Sequence, residues 1–596
     1  MKLKLSNFRN AQMQAFTAFL MLGLLTLEKN GIDTSFFLVY INPHTKSARN
    51  RGMWDMNKLV KTSVLLSTAV ILGSAVAPLA ANAATYKTIN WTETADLGTA
   101  DPSKATASVD FDALQATGDG LYRNGKDNKP ELALAESVQK SDDGLTYTFK
   151  LRPNLKWANG EPITAQDFVY GWQRTNDPKT ASQYAYLFSG IKGADDIQSG
   201  KDKNLSDLGV KAVDDTTLEV TLERPMPQLE SVLTMAPFYP QNQKFVEKVG
   251  SKYGTAAKYT LSSGPYVLKG WTGSNNKYSL VKNKNYWDAK AVKTPEVVIQ
   301  TVKDQNTGYN LYKAGKVDYT NLSSDQVRAS AKRKDYKVIP MASTFYLEFN
   351  EKKVAALKNV KIRQALSYAI DRKTLSNKIL KGNATPATTL TAKNLAKDPN
   401  TGKDFAESAA AKGAIAYDKT KAKKLFAEGL KEEGKKKLSL QLLTDDTDKA
   451  KNTAQFLQSQ LQNLSGLKVS IKTVPFKQRL ALSEDKNFDL VISAWSADYG
   501  DPSTFLDLYT SDSSFNNGSW SNADYDNAEK AAKTTDVNDE AKRFDDYKTA
   551  EQIIEKEVGV APLYYQSYAT LYRQSVKGVV SNPTGAPFDW KWAYKK

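Results

Sequence analysis

The 596-residue chain contains no cysteine and a single histidine, His44. The first absence excludes disulfides, thiolate metal ligands, a cysteine nucleophile and a lipid on an N-terminal thiol. The second excludes histidine-based triads and most zinc chemistry from everything after residue 44. Carboxylate chemistry remains open. No fixed-period repeat and no long segment of one composition occurs, so neither a solenoid nor a disordered linker is expected. With 41% hydrophobic and 10% aromatic residues the chain has the material for a folded interior. Its length exceeds what one core usually serves, which points to two or three domains.

Long apolar runs are confined to the N-terminal region. Lys58 and Lys61, then Ser63–Leu79 (SVLLSTAVILGSAVAPL) and AANAA, match the basic region, apolar region and A-x-A site of a cleaved export signal. The expectation is a signal peptide over 56–83, cut after Ala83. A membrane anchor is the alternative, because the run approaches the ~18 residues a span needs. Its Ser, Thr, Gly and Pro and its small-residue end favour cleavage. Met56, followed by NKLVK, reads as the start, with 1–55 a mis-assigned extension. Nine of the 82 basic and three of the 65 acidic residues lie in 1–83, leaving +11 on 84–596. That sign favours contact with anionic cell-wall polymers or lipid head groups, although 62 interspersed acids also suit an ordinary mixed surface.

Mixed α and β patterns follow. LTYTFKLR (145–152) and TTLEVTL (216–222) alternate as half-buried strands do. Asn359 is placed to cap VKIRQALSYAIDR, in which Ile362, Ala365, Leu366, Ala369 and Ile370 share one helical face. Residues 550–557 read as a helix and 561–573 (APLYYQSYATLYR) as a tyrosine-rich strand. FDLVISAWSADYGDP (488–502) reads as an apolar strand ending in two acids, Asp498 and Asp501, beside Trp495 and Tyr499.

LRPNLKWANGEPITAQDFVYGWQR (151–174) resembles the signature region of the oligopeptide-binding proteins, the extracellular solute-binding family 5 of bacterial peptide ABC importers. DLGTADPSKA and GLYRNGKDNKPELALAESVQKSDDG precede it. GPYVLKGW (264–271), NKNYWDAK (283–290), VKIRQALSYAIDR (360–372), FDLVISAWSADYGDPSTF (488–505) and APLYY (561–565) follow in family order. The resemblance runs from about Asn90 to Trp592. It implies an α/β, two-lobed periplasmic-binding-protein-like fold of the large peptide-binding class (type II), with an extra domain inserted in the first lobe. Lobe I would comprise 84–118, 242–343 and 567–596, the inserted domain 119–241, and lobe II 344–566.

The implied function is capture of extracellular oligopeptides and delivery to an ABC permease driven by cytoplasmic ATPases. It requires no enzyme activity, cofactor, metal or nucleic acid, and the protein would act as an exported monomer without a lipid anchor. Alternatives are another cargo on the same fold, such as a dipeptide or signalling peptide, an exported adhesin or chaperone, or a carboxylate-dependent hydrolase. An extended peptide is bindable through strand-like main-chain hydrogen bonds whatever its sequence, with hydrated pockets for its side chains. The W-x-x-D-Y motif implies that Asp498 pairs with the peptide's α-ammonium and that Trp495 lines the cleft. Main-chain groups around Ala494 and Ser496 would meet the peptide backbone. Phe476 stands where relatives place a pocket aromatic. Glu348 is a further candidate, equally readable as a solvent-facing strand residue. Asp501 reads as a turn residue of the D-P type. Some relatives carry an arginine at the position of Ile492, which puts a carboxylate contact there in doubt. Thr106 stands near a glutamate of some relatives.

Overall fold

The computed structural model describes residues 86–596; the readings made for the start site, signal peptide and cleavage fall on residues outside them. Strand β1 (Ile89–Glu93) is followed by a helix over Ser108–Thr117 and a small hairpin, β2 (Tyr122–Asn124) with β3 (Pro130–Leu132). Next comes an antiparallel sheet in the order β4-β5-β7-β6, formed by Ala135–Lys140 (β4), Thr146–Leu151 (β5), Val210–Asp214 (β6) and Thr217–Thr221 (β7). The chain then returns to β1. β8 (Tyr266–Lys269), β9 (Lys277–Lys282) and β10 (Glu296–Thr301) complete a sheet in the order β1-β10-β9-β8, where β1 lies parallel to β10.

A seven-stranded mixed sheet follows. Its strands are β11 (Tyr319–Asn321), β12 (Tyr336–Phe349), β13 (Ala384–Pro386), β14 (Leu438–Asp445), β15 (Leu467–Val474), β16 (Leu490–Ser496) and β17 (Val560–Tyr572), ordered β11-β17-β12-β16-β14-β15 with β13 also on β17. Both amphipathic strands foreseen at 145–152 and 216–222 are present as β5 and β7. The helix Val360–Tyr368 starts at Asn359, whose side chain accepts from the Lys361 N–H at 3.0 Å, and its expected apolar face is buried. The helix expected over 550–557 is longer, spanning Glu540–Glu557.

Separate cores serve these layers. Ile89, Trp91, Tyr266, Leu280, Ile299 and Trp590 pack against the β1-β10-β9-β8 sheet. Leu347, Ile362, Leu366, Leu442, Leu490 and Ile492 pack in the seven-stranded layer. A third core joins Phe149, Trp172 and Leu218 of the inserted region continuously to Trp495, Tyr499 and Phe505. Two long antiparallel strands, β12 and β17, run unbroken through the expected lobe boundaries at 343/344 and 566/567. Their register shifts there, between the pairs Pro340–Ser567 and Thr344–Tyr565. A bulge bends a strand without breaking it.

Candidate functional site

Strand β14 lies between β15 and β16 and is parallel to both. The helix Asp448–Leu461 carries the chain from β14 to β15 on one side, and Phe476–Glu484 brings it back to β16 on the other. Where crossovers leave a central strand in opposite directions, a crevice opens beyond the carboxyl ends of the strands. A cavity of about 260 Å³ occupies that place. Asp445 ends β14, Lys449 opens the first helix, Phe476 and Arg479 belong to the second, and Ile492–Ser496 with Asp498 close β16; all line the cavity. The facing wall holds Thr106, Lys303 and Gln305 near the first sheet, and Tyr184 from the inserted region.

Asp498 is 4% exposed. Its Oδ1 accepts a hydrogen bond from the Tyr184 hydroxyl at 3.1 Å, and its N–H donates to Thr504 Oγ1 at 2.9 Å. Oδ2 is buried without a partner, as is the nearby Tyr186 hydroxyl. Burial pushes the carboxyl up to about 8, against the opposing effect of the two tyrosine hydroxyls. No Lys or Arg within the described residues forms an ion pair with it. Trp495 stacks on Tyr184 with ring centres 5.9 Å apart and meets the edge of Phe515 at 4.8 Å. The site is therefore a walled, hydrogen-bonded carboxyl that lacks one thing, a counter-ion, and charge without one is costly at this depth.

The strand beside it offers a second feature. β16 pairs with β12 along its whole length, Leu490–Ser496, but with β14 only at Leu490 and Val491. From Ile492 to Ser496 the other edge of β16 faces the cavity without a partner strand among the described residues. Ala494, Trp495 and Ser496 thus lie together with Asp498, as the motif implied. Phe476 joins them, its ring under the Arg479 guanidinium at 5.1 Å.

Glu348 does not join them. It is 2% exposed, so the solvent-facing reading is also wrong. Its carboxylate accepts from the Gly518 N–H at 2.8 Å, away from the cavity lining, and burial pushes it up to about 7. Asp501 acts in the turn: it accepts from the Ser503 N–H at 3.1 Å and pairs with Arg543 at 2.8 Å. Ile492 and Thr106 both line the cavity. Tyr184, Lys449 and Arg479 were not foreseen. Tyr184 stands 314 positions from Asp498, beyond the reach of any local pattern.

Contacts across the cleft hold the two lobes together. Lys303 bridges Asp96 at 3.0 Å and Asp446 at 3.2 Å, the Gln305 N–H donates to Asp448 at 3.2 Å, and Lys477 donates to the Gly98 carbonyl at 3.2 Å. Gly585, at φ +67°, donates its N–H to the Ala497 carbonyl at 2.7 Å, next to Asp498. No helix among the described residues is long and apolar enough to cross a membrane.

The family model for bacterial extracellular solute-binding proteins, family 5 (middle), matches residues 129–517. The chain belongs to this family. A dipeptide-binding protein of Lactococcus lactis is 42% identical over 547 residues, covering 89% of this chain and 98% of the relative. Peptide-bound OppA of Listeria monocytogenes superposes with a TM-score of 0.82 at 40% identity, covering 86% and 99%. MppA, a murein tripeptide-binding protein of Escherichia coli, gives 0.77 at 28% identity, covering 86% and 99%. An unliganded open form of MppA gives only 0.58, at 27% identity and coverage of 86% and 98%. The chain superposes more closely on the peptide-bound OppA than on the unliganded open form of MppA.

Proposed function

We propose that this family 5 solute-binding protein captures peptides with a free amino terminus in the inter-lobe cleft and presents them, closed, to an ABC permease with cytoplasmic ATPases. The unpaired carboxyl of Asp498 is the observation that carries the reading. An α-ammonium supplies the missing counter-ion, and β16 from Ile492 to Ser496 supplies a strand edge for the peptide backbone. Closure excludes water, so each polar contact strengthens. A closed, liganded population is what a permease distinguishes from an open one. No covalent step is needed, and the names of the relatives support peptides as the cargo class.

A charge-assisted hydrogen bond in such a cleft contributes roughly 1.5–3 kcal/mol. Asp498→Asn, which keeps the shape and removes the charge, is therefore expected to weaken free tripeptides by about 10- to 150-fold. N-acetylated tripeptides, already poor ligands, should change little. Calorimetry on both series checks this; equal losses for the two would remove Asp498 from the role.

A further inference from the structure

The surplus positive charge of the chain is not spread evenly. Residues 419–437 hold eight lysines against three glutamates, a surplus of five, where the whole of 84–596 carries +11. All eight lysines are exposed. The helix Lys419–Glu432 buries Ala422, Phe426, Gly429 and Leu430. Thr420, Lys423, Lys424, Ala427 and Lys431 succeed one another at spacings of three and four on the side turned away from those residues, so they form one continuous strip. Lys435, Lys436 and Lys437 prolong it to the start of β14, where Lys468 stands opposite Ser439 in β15.

The acids near this strip are engaged elsewhere. Glu428 and Glu432 pair with Lys361 of the neighbouring helix Val360–Tyr368, and Glu433 accepts from Asn359 Nδ2 at 3.3 Å. Asp418 caps the helix, accepting from the Lys421 N–H at 2.9 Å, and Lys421 turns its ammonium to the Tyr368 hydroxyl at 2.7 Å. None of the eight lysines forms an ion pair among the described residues. Lys419 and Lys423, and Lys431 and Lys435, stand four positions apart, a spacing at which like charges repel. An anion lying along the strip relieves that repulsion.

Two features indicate what fits there. A helix that rests on a membrane presents its apolar face to the lipid, whereas this helix packs that face into the core and shows only Thr420 and Ala427 between its lysines. Tyr417, 40% exposed, adjoins the strip, and the Lys419 ammonium stands 5.8 Å from its ring centre. The strip is also long and narrow, since 14 helical residues span about 20 Å. A linear charged chain can follow such a ridge along its length, while a flat surface touches only part of it. The ridge lies well away from the cleft: β14 runs from Leu438 to Asp445 at the cavity, about 25 Å. A molecule held by this end keeps its cleft free.

We propose that the exposed side of the helix Lys419–Glu432, together with Lys435–Lys437, is a docking surface for a linear polyanion with phosphodiester charges, such as a cell wall presents outside the membrane. The surface is separate from the peptide cleft, and the inference does not depend on the role of Asp498.

The test measures binding of fluorescently labelled poly(glycerol phosphate) to the protein by anisotropy, and co-sedimentation with vesicles of phosphatidylglycerol and phosphatidylcholine. Wild type should bind the polymer at about 50 mM salt and release it as salt approaches about 0.5 M. The triple variant Lys423→Gln, Lys424→Gln, Lys431→Gln should weaken polymer binding by about tenfold or more. A second triple variant, Lys435→Gln, Lys436→Gln, Lys437→Gln, should act in the same direction. The control triple Lys129→Gln, Lys203→Gln, Lys211→Gln removes as many exposed charges from the inserted region and should change binding less than about twofold. Peptide affinity, unaltered in each variant, reports that the fold is intact, and if one ridge variant fails that check the other decides. Absence of polymer binding at low salt, an equal loss in the control, or tighter association with the vesicles than with the polymer overturns the proposal, the last outcome making the ridge a membrane contact instead.

Discussion

At the scale of single residues, the protonation of Asp498 links ligand to proton. Its carboxyl lies near 8 without a counter-ion, well above the ordinary value of 3.8, so the ligand-free site holds a proton at pH 7. An incoming ammonium favours the charged form. Peptide binding near neutrality is therefore expected to release up to about one proton, seen as a dependence of the apparent binding enthalpy on buffer ionisation enthalpy, and Asp498→Asn should abolish it. The sign for stability follows from the same shift. The folded state binds this proton more tightly than the unfolded chain does, so ligand-free stability falls as pH rises from about 4 through 8, and bound peptide reverses part of that fall. Asp498 and Trp495 were legible because their motif is contiguous. Arg479 and Tyr184 were not, since they reach the cavity only once a helix and a remote segment are folded against β16. Glu348 misled for a related reason: alternation in TFYLEFN separates two faces, but a loop bearing Gly518 covers the face that alternation alone leaves to solvent.

At the scale of elements, the two acids that follow β16, Asp498 and Asp501, part company. Asp501 holds the segment after β16 to the helix Glu540–Glu557 through Arg543, a pair with side chains 10% and 7% exposed. Breaking a buried pair by removing one partner costs about 3–5 kcal/mol. Asp501→Ala should lower the urea midpoint accordingly while leaving the ratio of free to N-acetylated peptide affinity unchanged. Replacing both partners with apolar residues should recover much of the loss. The first half of this helix escaped detection because its inward positions include Arg543, a charge that interrupts the apolar stripe from which helices are read. In the second half, Glu551 finds its partners only in the fold, its carboxylate accepting from the Leu390 and Thr391 N–H groups.

At the scale of the whole molecule, closure depends on weak ties. Lys303 and Asp446 are 30% and 31% exposed, so their pair contributes only ~0–1 kcal/mol. Lys303→Met, which removes the bridge to Asp96 as well, is expected to weaken peptide affinity by up to about fivefold, an effect that fades in high salt. Small-angle scattering should show the ligand-free variant more expanded than wild type, and the liganded forms alike. An affinity loss undiminished by salt would place Lys303 against the ligand instead. The two-lobed fold was legible because whole motifs recur in family order; the register shift between β12 and β17 was not, because it leaves no mark in composition.

The same continuity governs the order in which the chain acquires its shape. β1 finds its parallel partner β10 only after some two hundred residues have passed, and the buried Arg123 waits for Asp589, 466 positions later. Closing such long loops comes late and slowly, in contrast to the β14–β16 unit, whose strands lie next to one another along the chain. The β14–β16 unit is thus a cradle made of local contacts, and the frame around it is made of remote ones. A chain lacking its last few residues would retain the cradle's sequence entire and still be unable to finish the frame.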